Sequence, residues 1–126
     1  MVVIDSDVII WMLRGDKQIT VQFKKTVVEN EGNVFVTPVQ IAEIFAGILP
    51  GEKSRVEEFF GALGVFTIDE RAGRLAGDFI NRFGKSHNVT MADALIAAVS
   101  SLNNCTLWTR NRKHYPMLQR DRFYEA

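Results

Sequence analysis

Short apolar runs alternate with longer amphipathic stretches, and this alternation constrains the fold more than any other feature of the chain. The runs that fit buried strands cover residues 2–4, 34–36, 65–68 and 105–108. Strands that alternate with helices form right-handed β–α–β crossovers and therefore a parallel sheet. We expect an α/β fold, a three-layer α/β/α sandwich around a mainly parallel sheet of four to five strands, with residues 123–124 as a small edge strand.

Helical periodicity fills the segments between these strands. The predicted helices cover residues 7–14, 17–31, 37–49, 53–62, 69–86 and 90–102, and a further short helix is expected within 111–118. Thr37 and Pro38 have the residue types of an N-cap and a first helical position, and Pro50-Gly51 is a stop signal. These elements account for nearly the whole chain.

The length and composition favour one compact domain that spans residues 1–126. The chain has 126 residues, of which 47% are hydrophobic and 24% charged, and it has one cysteine, Cys105. We expect Cys105 to be buried, and a chain without an internal disulfide is typical of a reducing compartment. No apolar run is long enough to span a membrane and no basic leader precedes the first strand. The predicted location is therefore the cytoplasm, with no membrane association.

Three acidic residues follow strands or begin helices at what should be one edge of the sheet. Asp5 follows the first strand, Glu43 lies in an apolar stretch whose only other polar residue is Gln40, and Asp93 lies early in the helix that Thr90 begins. Parallel sheets bind ligands at the carboxyl ends of their strands. Carboxylates gathered there repel one another unless a cation or protonation relieves them, and oxygen ligands select hard ions. The sequence predicts an Mg²⁺ (or Mn²⁺) site formed by Asp5, Glu43 and Asp93.

Each acid also has a purely structural interpretation that the sequence leaves open. Asp5 or Ser6 could cap the following helix, and Asp7 could be a favourable acid in its first turn. Glu43 could mark a narrow solvent-facing stripe on a largely buried helix. Asp93 has the spacing from Thr90 of a capping box.

A carboxylate-held ion at this edge would suit phosphodiester hydrolysis, because it can activate water and stabilise charge on a phosphate. Thr109 and Asn111 follow the fourth strand to the same edge, where they could contact water, metal or phosphate. The formal net charge is zero, yet five cations and one acid lie within residues 110–122. We expect Arg110, Arg112 and Lys113 to contact an RNA backbone, with an ordinary solvated face as the alternative. Trp11 could stack on bases, whereas core packing is expected for Trp108.

Four segments resemble, in order, the motifs of PIN-domain nucleases. They cover residues 2–10, 41–47, 92–98 and 107–112, and the ordered set is more specific than any single motif. The compact length resembles VapC toxins of toxin–antitoxin pairs. The resemblance implies a metal-dependent endoribonuclease that is usually dimeric, cleaves RNA such as tRNA or rRNA, and is inhibited by a cognate antitoxin inserted into its active-site groove. It implies catalytic roles for Asp5, Glu43, Asp93 and Asn111, with Ser6, Asp7 and Thr109 in support.

One departure from the family pattern affects the number of metals. The family often has another Asp in the fourth motif, where this chain has Asn111 and, a few residues later, His114. A second metal site is therefore less well supported than the first. Two alternatives remain: a PIN-like domain that only binds RNA or protein, and a phosphatase of the haloacid-dehalogenase type, which Asp5-Ser6-Asp7 resembles.

Overall fold

The fold alternates strands and helices as the sequence predicts. The computed structural model describes all residues, 1–126. Its elements are β1 (Val2–Ile4), α1 (Ser6–Leu13), α2 (Lys17–Glu29), β2 (Val34–Val36), α3 (Pro38–Ala46), α4 (Lys53–Gly61), β3 (Gly64–Val65), α5 (Glu70–His87), α6 (Met91–Leu102) and β4 (Thr106–Trp108), followed by 3-10 turns at Arg112–His114 and Arg120–Arg122. None of the helices combines the length and the apolar character that crossing a bilayer requires.

The four strands form one parallel sheet in the order β3-β2-β1-β4. The central strand β1 pairs with β2 through Val2 and Val34 and with β4 through Ile4 and Trp108. The expected fifth strand at residues 123–124 is reduced to a single parallel bridge between Leu107 and Phe123. Because β1 and β4 are neighbours, the residues that follow them emerge side by side.

Helices cover both faces of the sheet, which confirms the three-layer sandwich. Val2 and Ile4 of β1 lie in a core cluster with residues of α1 to α4, whereas Val3 faces a second cluster with α5 and α6. This division follows from the alternation of side chains along a strand. Cys105 is buried and unpaired, as predicted.

Three predicted segments are at least three residues shorter at their ends than the sequence suggests, whereas the other ends agree to within two residues. Helix α3 stops at Ala46 rather than 49, because Gly47 lowers helix propensity and Leu49 precedes a proline. Strand β3 covers only Gly64–Val65 because Ile68 packs into the core against α5 and α6 instead of extending the ladder. The helix expected within 111–118 is only the 3-10 turn at Arg112–His114, since Pro116 disfavours helix at the residue before it.

Candidate active site

Asp5 lies at the centre of the predicted site, at the carboxyl end of β1. It is 8% exposed and is the N-cap of α1, accepting the Ser6 N–H on Oδ1 at 2.8 Å. Its other oxygen, Oδ2, accepts hydrogen bonds from Thr109 Oγ1 and Tyr115 Oη, each at 2.8 Å. The pairing of β1 with β4 brings Thr109 to this position. Asp5 therefore caps a helix and also forms the buried centre of a polar network.

The surroundings of Asp5 disfavour its negative charge. Burial raises the pKa of its carboxyl above the ordinary value, three hydrogen bonds oppose this, and the charge of Asp93 raises it further. Neither Asp5, Asp7, Glu43 nor Asp93 takes part in any salt bridge of the chain. No cationic side chain therefore compensates the acids at this edge.

Asp7 lies beside Asp5 and links α1 to the loop that follows β4. Its Oδ1 accepts the Val8 N–H at 2.7 Å, and its Oδ2 accepts the Arg110 N–H at 3.0 Å. Burial, and then the charge of Asp5, raise the pKa of Asp7 from 3.8 to about 6. Thr109 Oγ1 is 3.4 Å from Asp7 Oδ2, so one hydroxyl lies between both carboxylates.

Glu43 reaches the same edge from α3 but remains exposed. Its Oε1 accepts the Ser6 hydroxyl at 2.7 Å. The expectation that the apolar composition of α3 makes this helix largely buried is wrong, because only Gln40 and Ile44 are buried there. Gln40 is the buried polar residue: its Nε2 donates to the Ile4 carbonyl at 3.0 Å, and its Oε1 accepts the Thr37 N–H at 3.0 Å. Gln40 thus anchors α3 to the end of β1 and positions Glu43 one turn later.

Asp93 lies in the first turn of α6, and its carboxylate forms no hydrogen bond and no salt bridge. The Thr90 hydroxyl accepts the Asp93 N–H at 3.2 Å, so Thr90 is the N-cap. A capping box also requires the Asp93 carboxylate to accept the Thr90 N–H, and that bond is not formed. The capping interpretation therefore explains the backbone of Asp93 but not its acidic side chain.

The three acids meet at one edge without converging on a single point. No three acidic, histidine or cysteine side chains are placed to hold one ion together. Asp93 acts on Asp5 through its charge, and Glu43 is connected to Asp5 through Ser6. Like-charged carboxylates separate unless a cation lies between them. The donors are all carboxylate oxygens, which fit Mg²⁺ or Mn²⁺ in kind, but direct ligation by all three requires side-chain rearrangement.

The predicted residues of the fourth motif divide into two groups. Thr109 is 8% exposed and joins the acids, whereas Asn111 is exposed. The Asn111 N–H donates to Thr109 Oγ1 at 3.0 Å, but its side-chain amide pairs with His114 Nε2 at 3.0 Å. Asn111 therefore shapes the turn after β4 and does not replace the missing fourth carboxylate in this arrangement.

The three predicted RNA-binding cations are all exposed, although two have partners. The Arg110 guanidinium lies over the Trp11 ring, 5.2 Å from its centroid. Arg112 lies over the Phe123 ring at 4.9 Å and is 3.8 Å from Glu125. Lys113 takes part in no salt bridge. Trp11 is 46% exposed, while Trp108 is 4% exposed and belongs to the core as expected.

Sequence reasoning missed two residues that build the site, Tyr115 and Gln40. Tyr115 is 1% exposed, and its hydroxyl binds Asp5 across more than a hundred residues, which no local pattern reveals. Gln40 could have been found, since Thr37 and Gln40 have the spacing of a capping box. That motif predicts that the Gln40 side chain turns back toward the first residue of α3. In the structure the end of β1 lies at this position.

Comparisons with known proteins identify the family of the chain. The family model described as PIN domain matches residues 2–117. Ribonuclease VapC10 of Mycobacterium tuberculosis is 31% identical over 94% of this chain and 89% of its own length. Ribonuclease VapC19 of the same organism is 28% identical over 93% and 94%.

Solved structures share the fold at low sequence identity. A toxin–antitoxin complex from Klebsiella pneumoniae superposes with a TM-score of 0.77 at 15% identity, covering 92% of this chain and 91% of that one. VapBC2 from Rickettsia felis, bound to a promoter DNA fragment, gives 0.77 at 18% identity, with 94% and 96% covered. The family match covers nearly the full length of the chain, and the order of the elements and the acids at one sheet edge are consistent with it. This chain therefore belongs to the PIN-domain family and is a relative of the VapC ribonucleases.

Proposed function

We propose that this protein is a divalent-metal-dependent endoribonuclease and the toxin of a toxin–antitoxin pair. The observation that carries the proposal is the buried Asp5 carboxylate at the carboxyl end of β1, whose charge is disfavoured by burial and by Asp93 and is not compensated by any cationic side chain. A proton or a cation would relieve the cost of burying this carboxylate, which its three hydrogen bonds offset only in part. The relatives named Ribonuclease VapC10 and VapC19 support the same activity.

Asp5, Glu43 and Asp93 would hold the ion, Mg²⁺ or Mn²⁺, after rearrangement of the side chains. When bound, the ion would lower the pKa of water and stabilise negative charge on the scissile phosphate. Ser6 holds Glu43 toward the site by donating its hydroxyl. Thr109 fixes the orientation of Asp5, and Asp7 ties the loop after β4 to α1. These contacts hold Asp5 and Glu43 at the same edge of the sheet.

The RNA backbone would approach along the exposed cations of the loop after β4. Arg110, Arg112 and Lys113 supply positive charge next to an acidic centre, which would otherwise repel a polyanion. Asn111 lies in the same exposed turn, within reach of RNA rather than of the buried Asp5. The chain is neutral overall, so this local arrangement, rather than net charge, would support binding.

A cognate antitoxin and a second copy of the chain are the proposed protein partners. An apolar groove of about 130 Å³ adjoins Glu43 between α1, α3 and α4, and its lining includes Ile10, Ile44 and Ile48. This surface suits the apolar side chains of an antitoxin segment placed beside the acids. Solved relatives of the fold include toxin–antitoxin complexes.

We propose a homodimer in the cytoplasm. The homodimer follows the family resemblance, and the location follows from the buried, unpaired Cys105.

A domain that binds RNA or protein without cutting it is the second candidate. The separation of the acids favours this alternative, because no three of them are placed to share an ion. The exposed Asn111 where the family often has an acid favours it as well. Binding alone, however, gives no reason for acids from three parts of the chain to gather at one sheet edge without a salt-bridge partner.

Purified parent protein and variants tested on total RNA would separate the two candidates. We expect cleavage with Mg²⁺ or Mn²⁺ that EDTA stops, and loss of cleavage in Asp5→Asn and Glu43→Gln. Asp121→Asn, on an exposed turn away from the acids, is the matched control and should cleave like the parent. RNA binding without cleavage by every protein would favour the binding domain, and equal cleavage by Asp5→Asn would indicate a contaminating nuclease.

A further inference from the structure

A second cavity lies directly beside the acids and has no role in the function proposed above. It measures about 270 Å³ and is lined by residues of α2, the loop after β4 and the C-terminal segment. Thr109 lines this cavity and also donates to Asp5 at 2.8 Å, so one residue joins the two sites. A molecule bound here would contact Thr109 and so lie one residue away from Asp5.

The polar groups of this cavity are mixed in charge and rich in amides. Gln18 and Gln22 lie one helical turn apart on α2 and present two side-chain amides to it. Arg110 contributes a positive charge and Asp16 a negative one, although the Asp16 carboxylate also caps α2 through the Ile19 N–H at 2.9 Å. A phosphate would meet the Asp16 charge, whereas the edge of a base offers both donors and acceptors. The volume falls just below the ~300–1,000 Å³ of typical small-molecule pockets, which suits a single base.

A stacking surface continues from the rim of the cavity. The Arg110 guanidinium covers part of the Trp11 ring, and that ring is still 46% exposed. Unpaired RNA bases are typically stacked on aromatic or arginine planes and hydrogen-bonded along their edges. The backbone N–H of Arg110 is held by Asp7 at 3.0 Å, which fixes this surface relative to the acids.

We propose that the cavity is a nucleobase subsite in which the amides of Gln18 and Gln22 read the base next to the scissile phosphate, while Arg110 and Trp11 stack on its neighbour. The proposal rests on the ribonuclease function proposed above and adds the residues that select the sequence cut. Neither glutamine touches the acids, so these residues set specificity and are not catalytic.

Cleavage of a set of short oligoribonucleotides that differ at one position beside the cut tests the subsite. Gln18→Leu and Gln22→Leu remove the amides with little change in side-chain length. For the preferred base we expect kcat/KM to fall about tenfold, as for the loss of a good base-edge contact, with little change for the other bases. Val21→Ala lies on the same helix, is 66% exposed and does not line the cavity, so it is the matched control.

A binding measurement keeps the subsite testable if cleavage itself fails. Fluorescence anisotropy of the same oligoribonucleotides on the Asp5→Asn protein should show base-dependent affinity that Gln22→Leu flattens. Unchanged base preference in both cleavage and binding would overturn the subsite while leaving the ribonuclease proposal intact. If the parent binds the oligoribonucleotides with a base preference that Gln22→Leu removes, but does not cleave them, the subsite is supported and the proposed ribonuclease activity is refuted. Loss of antitoxin binding alone in the glutamine variants would assign the cavity to a protein partner and overturn the proposal.

Discussion

Asp7 should make the metal-free protein less stable as the pH rises. Its pKa is about 6 in the folded protein against an ordinary 3.8. One pKa unit corresponds to 1.36 kcal/mol, so the full effect is about 3 kcal/mol. Asp7 is partly exposed, and solvent screening reduces this to about 2 kcal/mol. The substitution Asp7→Asn removes this titration.

The direction of the effect follows from proton binding. The folded state binds the Asp7 proton more tightly than the unfolded state does, so this group stabilises the fold fully below about pH 4. That contribution is lost as the pH rises through about 6. The lowered pKa of Asp69 acts in the opposite direction, but it is present in both proteins and cancels in the comparison.

Urea unfolding followed by circular dichroism, in EDTA and between about pH 4 and about pH 7, measures the difference. Asp7→Asn loses one acceptor for a backbone N–H, which shifts its stability by an amount that does not depend on pH. As the pH rises across this range, the free energy of unfolding of the variant should therefore increase by about 2 kcal/mol relative to that of the parent. Asp121→Asn should run parallel to the parent. Parallel curves for Asp7→Asn as well would refute the unfavourable environment assigned to this carboxyl.

Three further substitutions test contacts of the site and of the sheet by the free energy of unfolding. Thr90→Ala removes the N-cap of α6 and should cost about 1 kcal/mol. Tyr115→Phe removes a buried hydroxyl that donates to the Asp5 carboxylate and should cost about 2 kcal/mol. Gly64→Ala would place a Cβ 2.4 Å from the Phe35 ring and should cost roughly 1–3 kcal/mol through overpacking.

The Thr90 and Gly64 predictions each have a control with a different expected result. Asp93→Asn keeps the Thr90 cap and should leave stability nearly unchanged, since its carboxylate has no partner. Gly73→Ala meets open space in α5 and should stabilise by about 1 kcal/mol, opposite in sign to Gly64→Ala. Unfolding of the protein by Asp93→Asn would contradict the role of Thr90 as the cap. A Tyr115→Phe protein as stable as the parent would contradict the hydrogen bond to Asp5, and a Gly64→Ala protein that gains stability would contradict the close packing against Phe35.

The sequence was sufficient for the layers and for the location of the site because both depend on local patterns. Strand and helix periodicity predicted the sheet, and the rule for parallel strands placed Asp5 and Thr109 at one edge. The end of β3 was not predictable, because it depends on the core packing of Ile68. The end of α3 could have been read from Gly47, which outweighs the continuing apolar pattern.

The remaining site residues depend on contacts between distant parts of the chain. The apolar composition of α3 predicted a largely buried helix and left the exposure of Glu43 open. Gln40 takes the buried position because Ile4 and Thr37 satisfy its amide. Tyr115 binds Asp5 from beyond β4, and only the folded chain brings the two together. The exposed turn at Asn111 likewise follows from its pairing with His114 rather than from its place in the motif.

Titration calorimetry with Mn²⁺, combined with RNA cleavage by the same protein samples, tests the central claim that Asp5, Glu43 and Asp93 share a cation. We expect saturable Mn²⁺ binding by the parent and by Asp121→Asn. Asp93→Asn should remain folded and lose both Mn²⁺ binding and cleavage. Unchanged Mn²⁺ binding by Asp93→Asn, or RNA cleavage by the parent in EDTA, would contradict the central claim.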